Sequence, residues 1–221
     1  VRVMEILLDG KKIRDRIESK VKKRIEESGI KPKLLAISAG KNEANRIYLK
    51  VKREACRRVG IEFIHIDCGD AEERDILDEI TRGARDDSVD GILVQLPLPN
   101  NIDVSKIMES IPAEKDVDGF NPENFGRVMV GKPVFIPCTP KGIMTLLDSY
   151  NIEVRGKDVV IINHSPLIGK PLSLLLLLRD ATVTVCHIMT KDIERYTKMA
   201  DILIAVSYTH LRAHETRHDL V

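Results

Sequence analysis

Val159-Val160-Ile161-Ile162-Asn163-His164-Ser165-Pro166-Leu167-Ile168-Gly169-Lys170-Pro171 is the stretch whose reading decides the fold. Its four opening residues are apolar and β-branched, which suits a strand buried on both faces. Asn163 to Ile168 turn the chain, and a helix follows over residues 170–178 with Pro171 in its first turn. Beyond it, residues 182–187 read as a strand, 192–199 as a helix and 201–206 as a strand. Upstream, Thr139-Pro140 reads as an N-cap followed by proline at the first helical position, with the helix reaching about residue 150. This is a βαβαβ series, one mononucleotide-binding half of a doubly wound parallel sheet. The expected second half has no residues to build it, so the domain is expected to be incomplete.

The alternation continues toward the N-terminus. Ile13, Ile17, Val21 and Ile25 recur every four residues, an amphipathic helix stopped by Gly29 and Pro32. The Arg, Lys and Glu residues between them read as a solvated face. A strand over residues 33–38 leads into a helix over 43–59 that Gly60 closes. Residues 62–67 read as a strand, 71–86 as a helix, and 91–95 as a short buried strand ending at Pro97 and Pro99. Residues 112–140, rich in Gly and Pro, read as loop and inter-domain segment. The expected fold class is α/β. A three-layer α/β domain covers residues 1–140, an incomplete dinucleotide-binding domain covers 141–206, and a tail covers 207–221.

Composition narrows the class of function. With 43% hydrophobic and 31% charged residues, the chain can bury a core, which excludes a disordered class. Lys plus Arg (35) against Asp plus Glu (34) leaves a net charge of +1, without the basic excess that nucleic acid or an anionic membrane demands. The longest apolar run, residues 174–178, falls far below the roughly 18 residues of a membrane span. The N-terminus lacks the apolar core and cleavage site of a signal peptide. Cys56, Cys68, Cys138 and Cys186 are widely spaced with no Cys-x-x-Cys, which fits reduced thiols. A cytoplasmic protein with neither nucleic-acid nor membrane partner is expected.

Four constellations carry possible chemistry. Tyr48 and Lys52, four apart, share a helix face, where an aromatic ring beside an amine suits a flat ligand and a proton transfer. An ordinary exposed pair is the alternative, and an amine must lose water to serve as a base. Gln95 closes an apolar strand ahead of Leu96-Pro97-Leu98-Pro99, the place where open α/β sheets bind ligands. Asp116 and Asp118 flank Val117 before Gly119-Phe120-Asn121-Pro122. Two carboxylates in such a loop bind a polar ring or cap a turn. Finally, the turn over residues 163–171 offers free backbone N–H groups to an anion. It lacks a full G-x-G-x-x-G, so an ordinary turn stays open as a reading.

Four segments together resemble a known family. They are Tyr48-Leu49-Lys50-Val51-Lys52, Asp90-Gly91-Ile92-Leu93-Val94-Gln95-Leu96-Pro97-Leu98-Pro99, Lys115-Asp116-Val117-Asp118-Gly119-Phe120-Asn121-Pro122 and Pro137-Cys138-Thr139-Pro140-Lys141-Gly142. In order and spacing they are similar to the signatures of bifunctional methylenetetrahydrofolate dehydrogenase/methenyltetrahydrofolate cyclohydrolase, over residues 4–206. The resemblance implies NADP-dependent oxidation of 5,10-methylenetetrahydrofolate and hydrolysis of the methenyl product to 10-formyltetrahydrofolate. It implies a catalytic N-terminal domain, a Rossmann-like cofactor domain and an active site in the cleft between them. Lys52 would be the general acid/base and Gln95 would hold it. Tyr48 would stack on the aminobenzoyl ring, Asp118 would hydrogen-bond the pterin, and Leu96 and Pro97 would line the substrate site. Asn163, His164, Ser165, Gly169, Lys170, Pro171 and His187 would meet the cofactor. Family members are homodimers through the cofactor domain, a pairing that the shorter second domain here is expected to weaken.

Three departures from the family pattern shape these expectations. The usual Gly-Arg-Ser of the cofactor turn is Asn163-His164-Ser165, so the arginine that would meet the 2′-phosphate of NADP is replaced. Cys186-His187-Ile188 stands where the third position is usually Ser. No Asp or Glu ends that strand to take the ribose hydroxyls of NAD. His164, Lys170 or Lys191 would substitute electrostatically, so NADP is the expected cofactor, with NAD kept open. After Val206, residues 207–221 match nothing in the family and read as foreign sequence joined to a truncated frame. His214-Glu215-Thr216-Arg217-His218 fits the H-E-x-x-H zinc pattern, yet only three residues follow it and no third ligand is evident. Accidental tail sequence is the better reading, and no metal is expected. Two rivals are an inactive truncated fragment of the enzyme and a zinc module built on the tail.

Overall fold

The computed structural model describes residues 7–206. The chain divides into two compact units, one running through Arg127 with Pro133–Phe135, the other taking Val128–Lys132 and the chain from Ile136. The H-E-x-x-H sequence lies outside the described residues.

The first unit is built on a three-stranded parallel sheet of β1 (Lys33–Ser38), β2 (Glu62–Asp67) and β3 (Gly91–Val94), in the order β2-β1-β3. Register follows from pairs such as Leu35↔Ile64 and Ile37↔Val94. β1 lies in the centre, and its alternate side chains feed two cores. Leu35 and Ile37 pack with Ile76 and Ile80 of α3 (Glu73–Arg85) and Ile107 of α4 (Val104–Ser110). Ala36 faces the other way, with Leu93, toward Leu49 of α2 (Glu43–Val59). That gives the expected three layers. The longer helix α1 (Gly10–Ser28) buries only Ile13 of its four-residue stripe and joins α2 through the Arg58–Glu18 ion pair, 2.6 Å. Gly29 and Gly60 end α1 and α2 at φ 66° and 89°, the left-handed conformation that stops a helix cheaply only at glycine.

Residues 112–140 are not all loop: α5 (Pro122–Met129) forms within them, with proline at its first position and Val128 fully buried. The next helix, α6 (Cys138–Ser149), begins one residue before the expected cap. Pro137 occupies the N-cap without a side-chain hydrogen bond, and Thr139 lies inside the first turn.

The second unit continues with β4 (Asp158–Ile162), α7 (Gly169–Leu177), β5 (Thr182–Cys186), α8 (Ile193–Met199) and β6 (Ile202–Ala205). Its parallel sheet runs β5-β4-β6, so the βαβαβ elements are present but the series does not march one way across the sheet. The chain steps from β4 out to β5, then crosses back to the far side of β4. Right-handed crossovers in opposite directions put α7 and α8 on opposite faces. β4 is therefore the strand at which direction reverses, the place where open α/β sheets bind ligands. Val159 and Ile161 form the core there with Leu172, Leu176, Met144 and Leu147. The four cysteines remain thiols.

Candidate functional site

In the first unit the reversal point lies between β1 and β3, and three segments converge on it. The β3 ladder extends one residue, Gln95 N–H donating to the Ile37 carbonyl at 2.8 Å, before the cis Leu96–Pro97 peptide turns the chain away. Gln95 is 8% exposed; its Nε2 donates to the Leu96 carbonyl at 2.8 Å, and its Oε1 is buried with no partner among the described residues. Asn45, on α2, is 3% exposed and donates from Nδ2 to the Pro97 carbonyl at 2.9 Å, leaving its own Oδ1 buried without a partner among the described residues. That bond ties the helix to the strand-end loop. Tyr48 and Lys52 follow Asn45 at i+3 and i+7, on the same side of α2. Tyr48 is 60% exposed while Lys52 is partly buried. The Lys52 charge is felt one turn on, at Cys56, where burial pushes the thiol pKa up and the ammonium pulls it partly back.

The third segment carries both aspartates, and the structure separates their roles. Residues 115–116 run beside β3, with Ile92 N–H donating to the Lys115 carbonyl at 2.7 Å. Lys115 Nζ donates to the carbonyls of Ala84 and Asp86, at 3.0 and 2.9 Å, closing the C-terminus of α3. Asp116 is 1% exposed and accepts from Gly119 N–H (3.1 Å), Asn121 N–H (2.8 Å) and Asn124 Nδ2 (3.0 Å). It is the clamp of the loop. Val117 packs with Leu49 and Leu93, which brings the loop onto α2, and Asp118 follows it partly buried. Leu96 is partly buried and Pro97 exposed at the same end of the sheet.

A cleft of about 730 Å³ opens on the other flank of α2, lined by Ser38, Asn45, Arg46, Arg53 and His65 among others. Ser38 Oγ and His65 Nε2 meet there at 2.9 Å. It shares Asn45 with the converging segments but none of Tyr48, Lys52, Gln95 or Asp118. Asn45 went unread in the sequence, although its spacing to Tyr48 and Lys52 was a signal for it.

The turn after β4 differs from the expected open anion site. Asn163 Oδ1 accepts from Ser165 N–H (2.9 Å), Ser165 Oγ–H (2.8 Å) and Gly169 N–H (3.0 Å). Ile168 N–H goes to Ser165 Oγ and Lys170 N–H to the Ser165 carbonyl, at 3.2 and 3.1 Å. A side-chain oxygen thus fills the place an anion would take. Gly169 is obligatory, since a Cβ would lie 2.0 Å from the Asn163 carbonyl oxygen. Pro171 is buried behind it, while Lys170 is exposed. His164, two residues past β4, and His187, next after β5, stand side by side, ring centroids 4.9 Å apart. Among the described residues no three His, Cys, Asp or Glu side chains gather as a metal site, and no helix is long and apolar enough to cross a membrane.

Comparison with known proteins follows the same division. The family model for the tetrahydrofolate dehydrogenase/cyclohydrolase catalytic domain matches residues 8–118, and that for its NAD(P)-binding domain matches residues 137–215. The bifunctional protein FolD of Methanoculleus marisnigri is 44% identical over 201 residues, 90% of this chain and 71% of that protein. FolD of Aquifex aeolicus is 47% identical over 211 residues, 92% of this chain and 72% of its own. The crystal structure of the bifunctional FolD methylenetetrahydrofolate dehydrogenase/cyclohydrolase from Campylobacter jejuni superposes with a TM-score of 0.88 at 42% identity, over 91% of this chain and 73% of that one. The Trypanosoma brucei enzyme, complexed with NADP cofactor and inhibitor, gives a TM-score of 0.88 at 29% identity, over 91% of this chain and 71% of that one.

Proposed function

The chain belongs to the tetrahydrofolate dehydrogenase/cyclohydrolase family, and we propose that it oxidises 5,10-methylenetetrahydrofolate with NADP and hydrolyses the methenyl product to 10-formyltetrahydrofolate. The observation that carries this reading is the buried, unpartnered Oε1 of Gln95 at the end of β3. A buried acceptor without a donor costs about 1–3 kcal/mol, which a lysine ammonium or a ligand N–H relieves. Lys52 extends from the helix that Asn45 ties to this loop, and Gln95 is its partner in the proposal.

The chemistry asks for little more. The methenyl carbon is already a cationic electrophile, so hydrolysis needs a placed water and a proton acceptor. Water adds to that carbon and its proton passes to Lys52 in the amine form. The carbon–N5 bond then breaks as N5 takes the remaining hydroxyl proton, and one proton is released overall. Tyr48 lies against the aminobenzoyl ring, Asp118 accepts from the pterin, and Leu96 and Pro97 line the ring's edge. When bound, the nicotinamide cofactor supplies the hydride acceptor for the oxidation. The end of β5 fits it, with no carboxylate at His187 to repel a 2′-phosphate.

Cytoplasmic location belongs to the same proposal. The deciding experiment is Lys52→Ser with both activities assayed. Hydrolysis of the methenyl compound should disappear more completely than oxidation of the methylene compound. A variant that hydrolyses at the full rate refutes the assignment.

A further inference from the structure

We propose that the cleft between α2 and the ends of β1 and β2 binds a small organic phosphate, its phosphate held by Lys50 and Arg53 and its hydroxyl-bearing body lying over Ser38 and His65. The cleft lies within the first unit, apart from Tyr48, Lys52, Gln95 and Asp118. Its volume, about 730 Å³, is that of a small-molecule site, for which roughly 300–1,000 Å³ is usual.

Three observations give the ligand its chemistry. The first is uncompensated positive charge. Arg46, Lys50 and Arg53 recur at i, i+4 and i+7 along one flank of α2, an arrangement that repels itself. The carboxylates lining the same cleft are already engaged: Glu43 with Arg46 at 3.4 Å, Glu54 with Arg57 at 3.0 Å, and Asp67 with the Gly69 N–H at 3.0 Å. Among the described residues no carboxylate forms an ion pair with Lys50 or Arg53. The second observation is that Arg53 is held in place. Its Cζ lies 5.7 Å from the centroid of the Phe63 ring, which anchors the guanidinium beside β2 and leaves its N–H fork for an oxyanion. The third is the uncharged polar floor. Ser38, 6% exposed, and His65 join through Oγ and Nε2 at 2.9 Å. Asn45 lines the cleft too, its buried Oδ1 without a donor among the described residues. An unpaired acceptor calls for a ligand hydroxyl, and the cleft is far larger than a phosphate group, so the ligand carries an organic body.

Calorimetric titration of the full chain with glycerol 3-phosphate and with ribose 5-phosphate tests this, with glycerol, ribose and inorganic phosphate as controls. At least one organic phosphate should bind roughly tenfold more tightly than inorganic phosphate, and glycerol and ribose should not bind. Lys50→Gln and Arg53→Gln should each weaken that binding by roughly tenfold, as loss of a hydrogen bond to a charged group does. Both side chains are exposed, and thermal melting checks that each variant folds; if one does not, the other decides. An NMR titration of the His65 ring then locates the ligand. The groups facing that ring are Ser38 from β1, Arg53 from α2 and Asp67 on β2 itself. A phosphate beside Arg53 favours the imidazolium, so saturation should raise the His65 pKa from its depressed value. Failure of both organic phosphates to bind, or binding no tighter than inorganic phosphate, overturns the inference. So does an unchanged affinity in a folded variant, or a His65 titration that the ligand leaves in place. None of these measurements involves folate turnover, so the proposed function stands or falls separately.

Discussion

Replacing Asp116 by alanine tests the distinction between the two aspartates of the 115–122 segment. The carboxylate accepts from Gly119 N–H, Asn121 N–H and Asn124 Nδ2, and both Asp116 and Asn124 are 1% exposed. Water cannot replace the lost oxygens unless the loop opens. A hydrogen bond to a charged acceptor contributes about 1.5–3 kcal/mol, but three are not additive. Removing a buried charge also relieves its desolvation. The net expectation for Asp116→Ala is a loss of about 3–5 kcal/mol. Asp116→Asn is milder. Its oxygen can keep the bonds to Asn121 and Asn124, while its amide meets the Gly119 N–H donor to donor, a cost of about 1–3 kcal/mol. Urea unfolding followed by circular dichroism measures both, and substrate affinity reports whether the loop still presents Asp118. Folate affinity should fall further in the alanine variant than NADP affinity does. An alanine variant within about 1 kcal/mol of the unaltered chain refutes the clamp, and so does an asparagine variant damaged as badly as the alanine.

Gly169→Ala forces a Cβ to within 2.0 Å of the Asn163 carbonyl oxygen, a backbone atom that can move only by distorting the turn. Destabilisation of about 3 kcal/mol with weakened NADP binding is expected by thermal melting and titration; a fully stable variant would mean the turn has slack. Burial holds the His65 pKa below its ordinary value, Arg53 adding to this and Asp67 opposing it. The unfolded chain therefore takes up this proton near pH 6.5 while the folded chain still resists it. Its stabilising share is complete above about pH 6.5 and declines as pH falls below that. His65→Gln should flatten the stability profile as pH falls below about 6.5; a profile of unchanged slope would show that His65 carries none of it.

Much of the architecture was legible because its signals are local. Glycine at positions 29 and 60 ends two helices by a conformation other residues adopt at a cost, and β1 and α2 have the bounds that periodicity indicates. α5 escaped notice because Gly, Pro and Asn around residues 119–126 mimic a loop, whereas burial of Val128 in the second unit's core holds that helix. The site shows the same split. Spacing put Tyr48 and Lys52 on one face, and strand-end logic singled out Gln95. Nothing local says which of Asp116 and Asp118 is the clamp.

The sequence by itself determined the order of the strands and of the helices other than α4 and α5, the α/β class and the family, since hydrophobic period, helix stops and co-ordered motifs are properties of the chain alone. Only the tertiary structure decided that the second sheet runs β5-β4-β6, because the direction of a crossover depends on which face remains to be covered. It alone showed Asn45 bonded to the Pro97 carbonyl across 52 positions of chain. It also showed the Asn163 side chain seated in the turn where an anion was expected. Hydrogen bonds form between groups that folding brings within about 3 Å, and no pattern along the chain records which groups those are.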